Sequence, residues 1–317
     1  MRKFEGFMKG VNLGGWFSQC DYTPEHLDSF IKDSDFAQIA AWGFDHIRIP
    51  FDYNILELGA GEWIESGFQR IADAITAARK YNLNVLLDLH KTAGFSFDTY
   101  SENESGFFES EKYQARFCTL WEELAKRFGN DPEHVAFELL NEITDKEFLP
   151  AWNKIVRRVI AGIRQYAPDV RILVGSYHNN AATAVKDLEA PYDDKIVYNM
   201  HCYEPLLFTH QGAHWTDQID PEKRMPITES ETSEEYFEEL FSGAIAKAEE
   251  YNVPLYCGEY GVIWYVSPED TLAWYKIIHK VMERHGIGRA LWTYQGMHFG
   301  LTESALDGVR ADIIANA

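Results

Sequence analysis

The sequence predicts an α/β fold: a single (β/α)8 TIM barrel occupying residues 1–317 as one catalytic-sized domain. Three observations carry this. Eight short apolar runs alternate with amphipathic segments from end to end, and no low-complexity stretch or Pro/Gly/Ser-rich linker interrupts them. Right-handed crossovers close eight such units into a barrel, whereas an open doubly wound sheet rarely uses so many regular units. A dinucleotide-binding sheet would also need a GxGxxG turn after its first strand, and NLGGW (12–16) lacks that spacing.

The strand signals are MKGVNL (8–13), FDHIRIP (44–50), NVLLDLH (84–90), VAFELLN (135–141), RILVG (171–175), IVYNMHCY (196–203), PLYCGEYG (254–261) and RALWTY (289–294). Each is short and rich in Val, Ile, Leu or aromatic residues, as strands buried on both faces of a parallel sheet are. Helical periodicity runs over 33–41, 66–81, 110–128, 150–166, 233–251 and 268–285. In the second of these, Ser66 is the expected cap, and Phe68, Ile71, Ala72, Ile75 and Ala78 fall on one face. Tyr236, Phe237, Leu240, Phe241 and Ile245 form a similar stripe opposite an acidic face, and Pro268 sits where a first-turn proline is tolerated. After the sixth strand signal, residues 204–232 intervene before the next helix. A connection that long is a candidate for binding.

Charge narrows the partners. Lys and Arg number 29 against 50 Asp and Glu, a formal net charge of −21. So acidic a surface repels phosphates, which argues against nucleic acid and anionic membranes and fits a neutral or cationic ligand. Cys20, Cys118, Cys202 and Cys257 are scattered singly and read as ordinary thiols rather than a zinc or disulfide framework. The N-terminal MRKFEGFMKG has no apolar stretch of signal-peptide length, and no run of about 18 apolar residues suits a membrane span. As written, a cytoplasmic monomer is expected, or a secreted one if a leader was trimmed.

In a barrel, function gathers at the carboxyl ends of the strands, where the loops converge on one mouth. The strand tips carry Arg48, His90, Asn141, Glu142, His201, Tyr203, Glu259 and Trp292. Each alone has an ordinary explanation as an ion-pair partner, a core histidine, a strand cap or a packed ring. Together at one end they form a constellation. Two glutamates facing each other across a barrel are what acetal cleavage requires: an acid for the leaving oxygen, and a carboxylate to attack or to direct water. An arginine beside Glu259 would keep it ionised. A ring at the mouth offers an apolar face to a sugar.

These residues, in this order, resemble glycoside hydrolase family 5 of the clan A barrels. The likeness rests on GVNLGGW (10–16), HIRIPFDY (46–53), LLDLH (86–90), FELLNE (137–142), YNMHCYEP (198–205) with FTHQGAHW (208–215), YCGEYGV (256–262) and LWTYQ (291–295). It covers all eight strands and is nearest to small clostridial cellulases without an appended binding module. It implies a retaining β-1,4-glucan hydrolase that needs no cofactor or metal, with Glu142 as acid/base and Glu259 as nucleophile. Asn141 would bind a sugar 2-hydroxyl, and Arg48 and Tyr203 would hydrogen-bond Glu259. His201 would adjoin Glu142, His90 would meet sugar hydroxyls, and Trp292, with a cis peptide to Thr293, would floor the subsite. Trp16, Phe208, Trp215 and Trp264 are further candidate sugar platforms.

Two departures from the family pattern bear on substrate. His90 is followed by Lys91 where many relatives carry a second histidine, which places a cation near the cleft. The segment after the sixth strand is also shorter than the helical insertion of the clostridial relatives. A β-1,3-glucanase, a β-mannanase or an exo-acting β-glucosidase would use the same scaffold. Outside that class, a metal-dependent hydrolase would need histidines on the first strand, where VNLGG has none. A silent sugar-binding barrel would have lost one of the two glutamates.

Overall fold

The computed structural model describes residues 1–98 and 104–316. Eight strands form the barrel: β1 (Lys9–Asn12), β2 (His46–Asp52), β3 (Asn84–Lys91), β4 (Val135–Glu138), β5 (Arg171–Val174), β6 (Ile196–Cys202), β7 (Leu255–Tyr260) and β8 (Gly288–Leu291). Each pairs in parallel with its sequence neighbours, and β8 returns to β1 through Lys9↔Arg289 and Val11↔Leu291, leaving no open edge. The (β/α)8 barrel predicted from the alternating pattern is the fold observed.

Helices α1 (Asp33–Ala41), α2 (Glu65–Lys80), α3 (Glu111–Phe128), α4 (Leu149–Ile163), α5 (Glu234–Tyr251), α6 (Pro268–His285) and α7 (Arg310–Asn316) surround it. Ser233 caps α5 by accepting from the Tyr236 amide at 3.1 Å, and Ser267 does the same for α6 at the Asp270 amide, 3.2 Å away. The expected cap at Ser66 is not one. The cap position belongs to Ile64, no side chain bonds there, and Ser66 lies inside the first turn. α4 stops at Ile163 rather than at Tyr166. Between β5 and β6 a 3-10 turn, Ala182–Asp187, takes the place of a helix. The long segment after β6 contains a short helix, Leu206–Thr209, and a 3-10 turn, Ile227–Glu229. Among the described residues no helix is long and apolar enough to cross a membrane.

Alternate strand residues point into the barrel, and this sorts its interior into levels. At the amino-terminal end Leu86, Ala136, Leu173, Val197, Tyr256 and Ala290 form an apolar floor closed from below by Phe4 and Phe7, whose rings stack at 4.5 Å. Two residues further along, the inward positions become Asp88 on β3, Glu138 on β4 and Asn199 on β6, all fully buried with Arg48 of β2 among them. Another two residues on, His90 and His201 reach the mouth. The outward strand faces join the helices in the main apolar core.

Candidate active site

The site is built around Arg48. Its Nε and Nη2 donate to both oxygens of Glu138 at 2.7 and 2.8 Å, a bidentate grip that fixes the guanidinium plane. The remaining valence reaches Glu259 at 2.7 Å, Asp88 at 3.0 Å, and the side-chain oxygens of Asn12 and Asn141 at 2.9 and 2.8 Å. Burial alone would weaken the hold of Arg48 on its proton, but the charges of Asp88, Glu138 and Glu259 outweigh it and keep the group cationic.

Glu259 owes its inward aim to a bulge. The pairing of β6 with β7 runs Met200↔Cys257 and then His201↔Glu259, so β7 carries one extra residue at Gly258. By strict alternation Tyr256, Gly258 and Tyr260 would face inward and Glu259 outward. The inserted residue reverses the parity: Tyr260 instead bonds His279 of α6, and Glu259 turns to the barrel axis. Gly258 is required there, because a Cβ would come within 2.9 Å of Asn199 Oδ1 and 3.0 Å of His201 Nε2. The Glu259 carboxylate accepts from Arg48 on one oxygen and from the Tyr203 hydroxyl, at 2.9 Å, on the other. Burial first, and then the nearby charge of Glu259, push the Tyr203 phenol far up, so it stays a donor.

Glu142 stands opposite. Its Oε1 lies 2.8 Å from Nδ1 of His201, and its Oε2 accepts from the Asn179 amide at 2.9 Å. Burial pushes its pKa up to about 7, only partly offset by the Asn179 hydrogen bond and the charges of His90 and Arg48. One carboxylate oxygen of Glu142, one of Glu259 and a ring nitrogen of His201 all lie within 4.8 Å of one another. The two acids thus face each other in unlike surroundings, one held by a cation and a phenol and the other by neutral donors alone.

His90 Nδ1 is 2.6 Å from Asp88 Oδ2, which leaves Nε2 turned toward Asn141 and the cleft. Burial pulls His90 and His201 both down to about 4, so each is a neutral imidazole near pH 7. Trp292 lies parallel to His90 with ring centroids 5.9 Å apart, and the Trp292–Thr293 peptide is cis. Lys91 is not a free cation at the rim: its side chain is 4% exposed and pairs with Asp98 at 3.1 Å.

Two of the four expected platforms are core residues instead. Trp16 is buried against Phe17, with its indole N–H given to the Leu27 carbonyl, and Phe208 is wholly enclosed beneath the loop after β6. Trp215 is 48% exposed and stacks on His298 at 4.9 Å, while half-buried Trp264 meets the edge of the same imidazole. Asp88, Glu138, Asn12, Asn199, Asn179 and Asn180 join the site without standing among the residues expected from the strand tips. A signal existed for some of them. Asp88 and Asn199 each sit two residues before a histidine tip, a polar residue on the inward face of an otherwise apolar strand.

Glu142, His201 and Glu259 have the donor types of a metal site, and their surroundings speak against that use. A cation there would share Glu259 with a guanidinium, and the oxygens of both glutamates already accept hydrogen bonds. A parallel barrel with two close glutamates in unlike surroundings, one just past β4 and one on β7, is the arrangement of the barrel glycosidases.

The comparisons agree. Residues 6–298 match the model of cellulase, glycosyl hydrolase family 5, and the chain belongs to that family. It is an O-glycosyl hydrolase and acts on carbohydrate. Its relatives include cellodextrinase A of Ruminococcus flavefaciens, 58% identical across 91% of this chain and 86% of that one. Endoglucanase C of Acetivibrio thermocellus is 35% identical across 92% of each. Among solved structures, a hyperthermophilic endo-β-1,4-glucanase in complex with substrate shares the fold at a TM-score of 0.83 and 23% identity, covering 98% of this chain and 97% of that one.

Proposed function

We propose that this protein hydrolyses β-1,4-glucosidic bonds in β-glucans and short cellooligosaccharides by a retaining double displacement. The observation that carries the reading is the approach of Glu142 and Glu259 to within 4.8 Å with opposite electrostatic treatment. Inverting enzymes hold their carboxyls about 6.5–9.5 Å apart to admit a water, whereas retaining ones need about 5–5.5 Å. In the first step Glu259 attacks the anomeric carbon, the glycosidic C–O bond breaks, and Glu142 gives its proton to the departing oxygen. In the second, Glu142 takes a proton from water, the oxygen of that water bonds to the anomeric carbon, and Glu259 leaves as carboxylate.

Arg48 and Tyr203 bond the two oxygens of Glu259 and aim it at the anomeric carbon, and burial holds the proton on Glu142 to a higher pH than an ordinary carboxyl would keep it. Asn141, whose oxygen is tied to Arg48, presents its amide to the sugar 2-hydroxyl. His90 and Trp292 bound the subsite, and Trp215 and Trp264 supply rings further along the cleft. Similarity to a cellodextrinase and to an endoglucanase supports cellooligosaccharides over mannan or β-1,3-glucan.

The test separates the two acids. Glu142→Ala should lose activity on cellooligosaccharides, yet keep turnover on a dinitrophenyl cellobioside and gain rate with added azide, because only protonation is missing. Glu259→Gln should be silent on both. Equal behaviour of the two variants on the activated substrate would refute the assignment.

A further inference from the structure

Immediately after β5 the chain makes a turn that is unusual for residues with side chains. His178, Asn179 and Asn180 all take left-handed backbone, with φ of 50°, 57° and 56°. Asparagine and histidine tolerate this region better than most residues, but three in succession persist only where the surrounding structure enforces them. Here it does. The His178 and Asn179 amides donate to the carbonyls of Thr144 and Ile143 at 3.1 and 2.9 Å, in the segment directly after Glu142. On the other side Ala181 bridges to His201. The turn is therefore clamped between the two residues whose side chains it meets.

Those meetings are specific. Asn179 donates its amide to Glu142 Oε2 at 2.9 Å. Buried Asn180 presents its amide nitrogen to His201 Nε2 at 3.4 Å. A ring nitrogen facing an N–H must accept, which leaves the proton of a neutral imidazole on Nδ1, 2.8 Å from Glu142 Oε1. Gly175 makes room, since a Cβ there would lie 2.2 Å from Asn180 Oδ1.

We propose that the left-handed run His178–Asn179–Asn180 is a positioning device for Glu142: Asn179 donates directly to one carboxylate oxygen, and Asn180 sets the His201 tautomer so that Nδ1–H donates to the other. This rests on the double-displacement reading and deepens it. When Glu259 is esterified its charge is gone, and Glu142 must be the anion that takes a proton from water. Two neutral donors stabilise that anion without adding a charge that would bind the leaving sugar oxygen or compete for the proton. The other titratable groups around Glu142 are Arg48, Asp88, His90, Asp98, Tyr203, Glu204 and Glu259. The tuning by Asn179 works against the upward push of burial.

Asn179→Gly tests this cleanly, because glycine removes the amide while relieving the left-handed backbone, so the variant should fold at least as well. Carboxyl carbon NMR of Glu142 should show its titration midpoint rise by about half to one pH unit. The alkaline limb of kcat/KM on a cellooligosaccharide, whose leaving group needs the Glu142 proton, should rise with it. Asn180→Ala should shift both in the same direction, and nitrogen NMR of the wild-type His201 ring should show protonated Nδ1. A folded Asn179→Gly with an unmoved midpoint, or a wild-type His201 protonated at Nε2, would overturn the proposal. If the midpoint rises but the wild-type protein cleaves no β-glucan, the positioning stands and the substrate reading falls.

Discussion

At the scale of single residues, the chemistry depends on proton occupancy more than on identity, since both candidate acids are glutamates. Glu142 has its pKa pushed by burial from 4.5 to about 7, so ionising it in the folded state costs stability. The sign follows from linkage: a raised carboxyl contributes stability that is complete below pH 4.5 and lost as pH climbs through 7. Replacing Glu142 with Gln removes the loss. The melting temperature of Glu142→Gln relative to wild type should be near zero at pH 4, rise through the interval, and level off above pH 7 at a gain on the order of 3–5 °C. Calorimetry across that range checks it, and a flat difference would mean that Glu142 is not held neutral by its surroundings. The catalytic profile should fall on its alkaline side over the same region, because the first step consumes the proton on Glu142.

At the scale of elements, the decisive feature is the irregularity in β7. The inserted Gly258 converts an outward glutamate into an inward one, and the crowding around it admits no side chain. Gly258→Ala should therefore cut kcat at least tenfold by displacing Asn199, His201 or Glu259 itself. Gly243 in the middle of α5 is the control. Its nearest side-chain neighbour would lie 3.6 Å from a new Cβ, and Gly243→Ala should leave kcat alone while stabilising the helix by about 0.5–1 kcal/mol. Steady-state kinetics with thermal melts on both variants separates aim from stability. The bulge explains why strand periodicity by itself misplaces this position. The YCGEYG run reads as an unbroken strand, and only the pairing with β6 reveals the extra residue. The missing helix between β5 and β6 has a related cause: Ser176 to Ala184 is given to the left-handed turn and its return.

At the scale of the whole molecule, stability and chemistry occupy opposite ends of one barrel. The floor is apolar and closed by Phe4 and Phe7, the middle is a charged level centred on Arg48, and the mouth holds the two candidate glutamates. Phe4→Ala should cost about 3–5 kcal/mol through the cavity it leaves. Below the lowered melting temperature, kcat should stay near wild type, because the floor does not touch the site. A large loss of kcat in folded Phe4→Ala would show that the floor and the mouth are mechanically coupled. The acidic surface, with its net charge of −21, suits a neutral carbohydrate, which such a field neither attracts nor repels.

Much of this was legible in the amino-acid order alone. The eightfold alternation, the strand tips and the Glu142 and Glu259 pair could be read directly, because strand ends are local properties and a barrel brings the tips together at one mouth. Other features needed the folded chain. Trp16 and Phe208 look like surface rings by position and are core by burial, since a loop's path over the barrel is set by contacts distant in sequence. Glu138 reads as an ordinary strand residue until Arg48 is seen gripping both its oxygens. Asn179 and Asn180 acquire their partners only when β5 closes beside β4 and β6. The proton assignment of Glu142 belongs wholly to tertiary structure, because exclusion of water from a carboxyl is a property of everything around it.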